Sequence, residues 1–505
     1  MRESYDVVVI GAGNAAMCAA HAAREQGCSV LVLERASEEE RGGNSTFTAG
    51  AMRTVYSGVE DLKQLMPDLS EEEIKMSDFG KYTEDNFYDD MARTTQDRCN
   101  PDMVEVMVKN IFPTMLWMRE KGVRFIPIWG RQAVKVDGRF KFRGGLTVEV
   151  AGGGPGLVEA HHKIAARNGV EVHYNAMATG LVADDEGVHG VKYKQDGKTT
   201  EVTAKAVVLA TGGFQANLEW RTRYLGPNWD LAKVRGTRFN TGMGHEMAFT
   251  VGAQAVGHWS GCHSVCWERN APAGGDLAIG DGFQKLSYPL GVMVNSRGKR
   301  FVDEGVDFPT FTYSRYGAAI LAQPEQFAWQ VFDQKTVPML RDEYRIKQVT
   351  KVTANTLEEL AQLLDGVDPK GFLDEMSSWN DAVMSEVPFD YSVKDGRGTR
   401  GLAVSKSNWA NRLDSPPFVA YGVTCGITFT YGGIKTNTEA EVLDVQDKPI
   451  PGLFAAGELV GDLFYFGYPG GSGLSAGAVF GRIAGSSASK FAAAHRESIA
   501  NSHPN

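Results

Sequence analysis

The chain opens on a nearly unbroken apolar run, Tyr5-Asp-Val-Val-Val-Ile10, rich in β-branched residues. Such a run predicts a strand buried on both faces. It leads into Gly11-Ala-Gly13-Asn-Ala-Ala16, and an alanine-rich stretch over 15–26 predicts a helix that Gly27 ends. Ser29-Val-Leu-Val-Leu-Glu34 predicts a second strand. Residues 60–122 read as mostly helical, with acidic starts such as Ser70-Glu-Glu-Glu73. Between 123 and 145 apolar and basic residues alternate, which predicts a hairpin. A helix over 157–168 is followed by strands near 170–174, 181–184 and 190–194. Residues 206–213 form another apolar run closing on a glycine pair. From 258 to 411 the pattern is mixed, with short strands and helices. Residues 451–458 restore the strand-then-glycine style, leading to a glycine-rich turn at 467–473 and an alanine-rich helix from about Gly477.

With 505 residues the chain exceeds one ordinary core, so two or three domains are expected. The 58 glycines cluster beside apolar runs, as the strand-to-helix turns of an α/β nucleotide-binding fold require. A formal net charge of −10 without a basic stripe argues against a nucleic-acid partner. Six cysteines are too few for a disulfide scaffold in so long a chain. Cys262 and Cys266 lack a second ligand pair at structural-site spacing, so buried thiols are expected and no metal. No apolar segment reaches the roughly 20 residues of a membrane-spanning helix. The first strand begins too early to leave room for a signal peptide. A cytoplasmic protein without a transmembrane segment is the expectation.

Gly11-x-Gly13-x-x-Ala16 lies between a strand and a helix, the context that gives this spacing meaning. Gly11 makes the turn, Gly13 lets backbone approach a pyrophosphate, and Ala16 lets helix and strand pack closely. Asn14 and Ala15 open the helix, whose free N–H groups and positive dipole end face the diphosphate. Glu34 ends the next strand, where its carboxylate can accept both ribose hydroxyls. These features leave NAD and FAD both open.

Glu34-Arg35, Gly42-Gly43-Asn44-Ser45, the run 206–213, Phe454-Ala-Ala-Gly457-Glu458 and Gly470-Gly-Ser-Gly473-Leu474-Ser475 occur in one order. Together they resemble the fumarate reductase/succinate dehydrogenase flavoprotein superfamily over nearly the whole chain. Within it, Gly11 to Ala16, Gly257-His-Trp-Ser-Gly-Cys-His263, Gln284-Lys-Leu-Ser-Tyr-Pro-Leu290 and Phe466-Gly-Tyr-Pro-Gly-Gly-Ser-Gly473 are similar to the tricarballylate dehydrogenase group. The resemblance implies a Rossmann-type FAD-binding domain, residues 1–257 and 412–505, interrupted by an α+β capping domain over 258–411. It also implies roles. Gly43, Asn44 and Ser45 would lie along the flavin and its phosphates, and Ala178, Thr211 and Gly212 would border the adenosine half. Gly457 and Glu458 would meet the ribityl chain; Gly473, Leu474 and Ser475 would meet the pyrimidine end of the flavin. Ser45 stands where succinate dehydrogenases carry the histidine of a covalent flavin bond, which implies non-covalent FAD.

On the substrate side, His263 falls where the fumarate reductase branch places a substrate-binding histidine; a satisfied core histidine is the alternative. The proton-donating arginine of that branch would occupy the position of Phe308, leaving Arg315 as a substitute from the same segment or as a solvated helix residue. Thr428 to Thr430 replace another histidine, and Tyr468 replaces a carboxylate-gripping arginine. Burying a carboxylate without such partners costs several kcal/mol (roughly), so these departures weaken the case for fumarate itself. Tyr468-Pro-Gly-Gly-Ser472 also resembles the turn of 3-ketosteroid Δ1-dehydrogenases, in which a tyrosine hydroxyl polarises a ketone. Tyr313 and Tyr288 are further hydroxyls available for proton transfer.

The expectation is an FAD-dependent dehydrogenase forming a C=C bond α,β to a carboxylate or carbonyl, tricarballylate to cis-aconitate being the implied pair. A ketone Δ-dehydrogenase, a fumarate reductase-type enoate reductase and a non-catalytic FAD-binding assembly subunit are the rivals. Lacking an iron–sulfur or haem motif, the chain would pass electrons to a partner protein, a quinone or oxygen.

Overall fold

The computed structural model describes residues 4–142 and 145–502. Strand β1 (Ser4–Ile10) is central to the first sheet. Its side chains point alternately into two cores: Val7 and Val9 join the one containing helix α1 (Asn14–Glu25), and Val8 and Ile10 join the other. A strand covered on both faces has no polar alternation, hence the apolar run. β2 (Val30–Leu33) runs parallel to β1, Val7 beside Val30 and Ile10 beside Leu33. After helix α2 (Gly153–Asn168), β3 (Glu171–His173) adds in parallel to β2. β4 (Met177–Asp184), β5 (Gly187–Gln195) and β6 (Lys198–Leu209) then form an antiparallel meander, and β6 pairs in parallel with β1. β6 starts well before residue 206 because its first half lies against β5 with one face in water, and so reads as polar.

The expected hairpin over 123–145 is narrower than its alternation suggests. Ala133–Val136 pairs with Arg139–Phe142, whereas Phe125–Pro127 pairs with Val148–Val150. Residues 143 and 144 of that segment lie outside the described residues. Ser70 and Glu73 form the reciprocal capping box their spacing predicts.

A second sheet is built on the long strand that becomes β11. β7 (Ala255–Glu268), β8 (Val292–Val294), β9 (Phe327–Phe332) and β10 (Lys351–Ala354) precede β11 (Phe418–Ile434) in the chain. β7 pairs antiparallel with the C-terminal half of β11, and β9 and β10 pair with its N-terminal half. β7 crosses residue 258, and β11 follows residue 411. The cuts placed at 257/258 and 411/412 therefore do not coincide with the limits of this sheet, which takes strands from both flanks. Helix α3 (Pro309–Leu321) packs on β7 so closely that a Cβ on Gly317 would lie 2.6 Å from the Ser264 carbonyl carbon.

β12 (Glu441–Leu443) and β13 (Pro449–Ala455) return the chain to the first sheet, β13 lying parallel to β6. Helix α4 (Ser472–Ser502) follows, starting earlier than the expected Gly477. Gly477, Gly481 and Gly485 share one face of it. A Cβ on Gly481 would stand 2.3 Å from the Ala15 carbonyl oxygen, and one on Gly485 2.1 Å from that of Ala19. This glycine face lets α4 touch the backbone of α1 and brings its first turn beside the turn at 11–16. Among the described residues no helix is long and apolar enough to cross a membrane.

Candidate cofactor and substrate site

One long cavity runs from the C-terminal end of β2, across the first turn, to the start of α4 and out beneath the second sheet. Its first stretch is lined by Glu34, Arg35, Ala178, Thr211 and Gly212. Gly11, Gly13, Asn14, Ala15, Gly43, Asn44, Ser45, Gly457 and Glu458 line the middle, and Gly473 and Leu474 the far part. Ala16 and Ser475 are in the core instead: Ala16 packs inside α1, and the Ser475 hydroxyl donates to the Arg53 carbonyl at 2.8 Å. Both support the cavity from behind.

The first turn requires glycine for reasons of conformation. Gly11 has φ +105°, and a Cβ there would lie 2.4 Å from the Ala210 carbonyl oxygen. α1 has no side-chain cap at Gly13, which leaves its N-terminal dipole facing the cavity. Ser45 Oγ accepts the Asn14 backbone N–H at 3.0 Å, tying the 43–47 turn to α1. The Asn14 amide donates to the Leu474 carbonyl at 2.9 Å and so joins α1 to the start of α4. Its Oδ1 lies 3.0 Å from His161 Nε2, and His161 Nδ1 lies 3.3 Å from His21 Nε2. Burial holds both histidines neutral, so one N–H per ring makes this a directed chain ending on Asn14. Neither histidine stands out in the sequence, because the two rings lie 140 residues apart on different helices.

Asn44 ties the 43–47 turn to β11 and to the 237 segment, donating to the Thr428 carbonyl at 2.6 Å and accepting from the Thr237 N–H at 2.9 Å. Arg35 donates to Thr241 Oγ1 at 2.8 Å. Glu34 is buried and accepts the Ala36 N–H at 2.7 Å; burial pushes its carboxyl above the ordinary range. Thr211 Oγ1 is buried without a hydrogen-bond partner among the described residues. A hydroxyl left unmade inside a glycine-lined cradle suits a polar ligand. The donor set therefore fits a dinucleotide.

Beneath the second sheet, the rings of Tyr313 and Tyr468 stand edge to face, their centroids 6.4 Å apart. Both side chains line the cavity, and burial raises both phenols far above neutral pH, so they remain protonated. A Cβ on Gly473 would be 3.7 Å from the Tyr468 hydroxyl and 3.6 Å from Phe429, which places that hydroxyl beside the first turn of α4. Phe429 and Phe464 flank the Tyr468 ring at 5.8 and 5.0 Å.

His263 does not face the cavity. It is fully buried behind the tyrosines, its ring 4.7 Å from that of Tyr313 and 5.0 Å from that of Tyr468, and burial keeps it neutral. Alternation along β7 turns this side chain toward α3. Arg315 is also directed away, donating to the Thr94 carbonyl at 3.0 Å; it sits two residues from Tyr313 on a helix and so cannot share its face. The Tyr288 hydroxyl is satisfied by Thr312 at 2.6 Å in the core. The cations that line the cavity away from Arg35, at its substrate end, are Arg131, Arg235 and Arg341. Nothing in their spacing could have joined them, since they come from three unrelated segments. Among the described residues no group of three or more His, Cys, Asp or Glu could hold a metal.

The family model described as FAD binding domain matches residues 6–474. The chain belongs to this FAD-binding family, within the fumarate reductase/succinate dehydrogenase flavoprotein superfamily. This flavoprotein is 29% identical to a probable fumarate reductase of Shewanella frigidimarina, over 97% of this chain and 76% of that one. It is 28% identical to the NADH:fumarate oxidoreductase of Klebsiella pneumoniae over 97% of its own length, and spans about half (48%) of that relative. Among solved structures, the open conformation of a flavocytochrome c3 fumarate reductase superposes with a TM-score of 0.72 at 28% identity, covering 97% of this chain and 79% of that one. The 3-ketosteroid Δ1-dehydrogenase of Sterolibacterium denitrificans shares the fold, with a TM-score of 0.73 at 21% identity over 98% and 100% of the two chains. The flavoprotein is an FAD-dependent oxidoreductase acting on carbon–carbon bonds. Bound FAD supplies a hydride acceptor or donor; Glu34, the 11–16 turn, Asn44, Glu458 and the start of α4 are the groups that would hold it.

Glu458 gives the flavoprotein a pH signature. It accepts the Thr430 N–H at 2.9 Å and the Gln215 amide at 3.3 Å, yet burial outweighs these bonds and pushes its carboxyl up to about 7. A carboxyl with a raised folded-state pKa contributes stability below its unfolded value, and that contribution is lost as pH rises through the folded value. The apoprotein therefore loses stability between about pH 4.5 and 7, by up to about 3 kcal/mol from this group. Thermal unfolding of the Glu458→Gln apoprotein should show a shallower fall across this window than the parent. Parallel curves would mean that Glu458 titrates normally.

Proposed function

We propose that this flavoprotein interconverts a C–C and a C=C bond α,β to a carboxylate or carbonyl, holding FAD non-covalently, with tricarballylate and cis-aconitate as the candidate pair. The observation carrying this reading is the Tyr313–Tyr468 pair beside the first turn of α4. Both phenols line the cavity and stay protonated, so each carries a proton it can offer to a substrate oxygen. Donated to a carbonyl or carboxyl oxygen, that proton stabilises the negative charge that develops as the α-carbon loses its hydrogen. The surrounding Phe429 and Phe464 exclude water and strengthen the bond. Ser45 supports non-covalent FAD, because its hydroxyl accepts from Asn14 and no ring nitrogen stands there.

Electrons then leave through a partner protein or quinone. The test is an anaerobic screen of di- and tricarboxylates, enoates and cyclic ketones against the oxidised and the reduced flavin, read as bleaching or recovery of its visible absorption. Reaction with carboxylates bears the reading out. Reaction with apolar cyclic ketones alone shifts it to the ketone Δ-dehydrogenase chemistry that the aromatic lining also favours, and silence toward every compound overturns it.

A further inference from the structure

Three guanidinium groups face the substrate end of the cavity, and they are not equivalent. Arg235 is the most heavily bonded: its Nε lies 2.8 Å and its Nη2 2.5 Å from Asp281 Oδ1, and Nη1 lies 3.3 Å from Thr428 Oγ1. Its side chain is 8% exposed, and it anchors Asp281. Arg131 makes one hydrogen bond among the described residues, to Asp281 Oδ2 at 2.5 Å, and is 26% exposed. The Arg341 guanidinium makes none; its charged neighbour is Glu343 at 3.9 Å. A guanidinium has five donors in a planar fork that matches a carboxylate. Arg131 and Arg341 thus hold unused donors on the wall of one cavity.

The two lie close together. The short helix Trp129–Gln132 rests against the segment after Arg341, so that a Cβ on Gly130 would be 3.9 Å from Asp342 Oδ2. They also lie beyond the reacting end. Arg235 donates to Thr428, whose neighbour Phe429 packs on the Tyr468 ring at 5.8 Å, and it meets Arg131 through Asp281, to which both bond. The order along the wall is therefore the tyrosine pair, Arg235, Asp281, then Arg131.

Charge counts favour an anion there. Three arginines meet the carboxylates of Asp281 and Glu343, with Lys285 buried behind them on backbone carbonyls, while Asp342 is exposed and paired with Arg345 at 2.6 Å. Glu149, which also faces Arg131, is pushed up to about 7 by burial and gives only a partial charge at neutral pH. A half-buried excess of positive charge is costly until an anion pairs it.

We propose that Arg341 and Arg131 form a carboxylate-binding subsite for the end of the substrate remote from the reacting carbons, so that the flavoprotein selects polycarboxylates over monocarboxylates. This deepens the reading above and rests on it for the position of the reacting carbons. It also resolves the apparent loss of carboxylate partners at Phe308 and Tyr468: the charges are supplied from other segments.

The test is a binding titration of the FAD-loaded protein, read as the flavin difference spectrum, with citrate as a tricarboxylate probe and butyrate as a monocarboxylate. In the parent, citrate should bind at least about tenfold more tightly. In Arg341→Gln and Arg131→Gln the butyrate-to-citrate Kd ratio should fall at least about tenfold, with Arg341→Lys between them and the parent. Retained FAD and an unshifted melting temperature show that each variant is folded, and Arg341→Gln, which gives up only the 3.9 Å pairing with Glu343, carries the test if Arg131→Gln does not fold. A ratio moving less than about twofold in folded Arg341→Gln, or no citrate preference in the parent, overturns the subsite. Because binding needs no turnover, an arginine-dependent citrate preference without any flavin bleaching would leave the subsite standing while the proposed chemistry fell.

Discussion

Tyr468→Phe should slow anaerobic flavin reduction by about a hundredfold while leaving FAD bound. A single preorganised donor to a developing oxyanion is worth about 10²–10³ in rate, and Phe removes that donor while keeping the ring. The ring packs between Phe429 and Phe464 and against His263, contacts that Phe reproduces. The edge-to-face neighbour Tyr313 also lines the cavity and keeps its own hydroxyl there. Stopped-flow measurement of the flavin's visible band with a reactive substrate, beside the FAD-to-protein ratio, separates the two effects. Equal, small changes in both would show that Tyr468 only packs.

Gly13→Val should give a folded, colourless protein, with FAD affinity lowered at least about a hundredfold. Gly13 has φ −76° in extended backbone, and its nearest protein neighbour to a Cβ is the Gly42 carbonyl oxygen at 3.4 Å. The protein therefore tolerates a side chain there, whereas the methyl groups would occupy the cavity that Gly13 lines. Gly11 differs in kind, because its left-handed φ and the nearby Ala210 carbonyl make any side chain a folding defect. Far-UV circular dichroism with flavin reconstitution checks this. A yellow Gly13→Val protein would place the diphosphate elsewhere.

The flavin cradle was the more legible half of the site. Gly11 and Gly13 act through the backbone and Glu34 through its carboxylate, all within one strand–turn–helix–strand unit, so their order along the chain also fixes where they stand in space. Ser45, Asn44 and Glu458 were reachable only through resemblance, since each meets the cradle from a distant segment. The substrate half reads differently. His263 and Arg315 have the right chemistry in the right region, but alternation along β7 and the turn of α3 point both away from the cavity. Tyr313, two residues from Arg315 on the same helix, faces inward.

The amino-acid order alone determined the local units: a strand apolar on both faces, a turn only glycine can make, a capped acidic helix, and a carboxylate at the end of the second strand. These depend on contacts a few residues apart, where periodicity and φ preference suffice. Tertiary structure decided which charges meet. It brought Arg131, Arg235 and Arg341 to one wall, set His161 and His21 behind Asn14, and pressed the glycine face of α4 onto α1. Such pairings depend on how two sheets and four segments pack, and a side chain 100 residues away leaves no trace in local pattern (roughly the separation of these arginines).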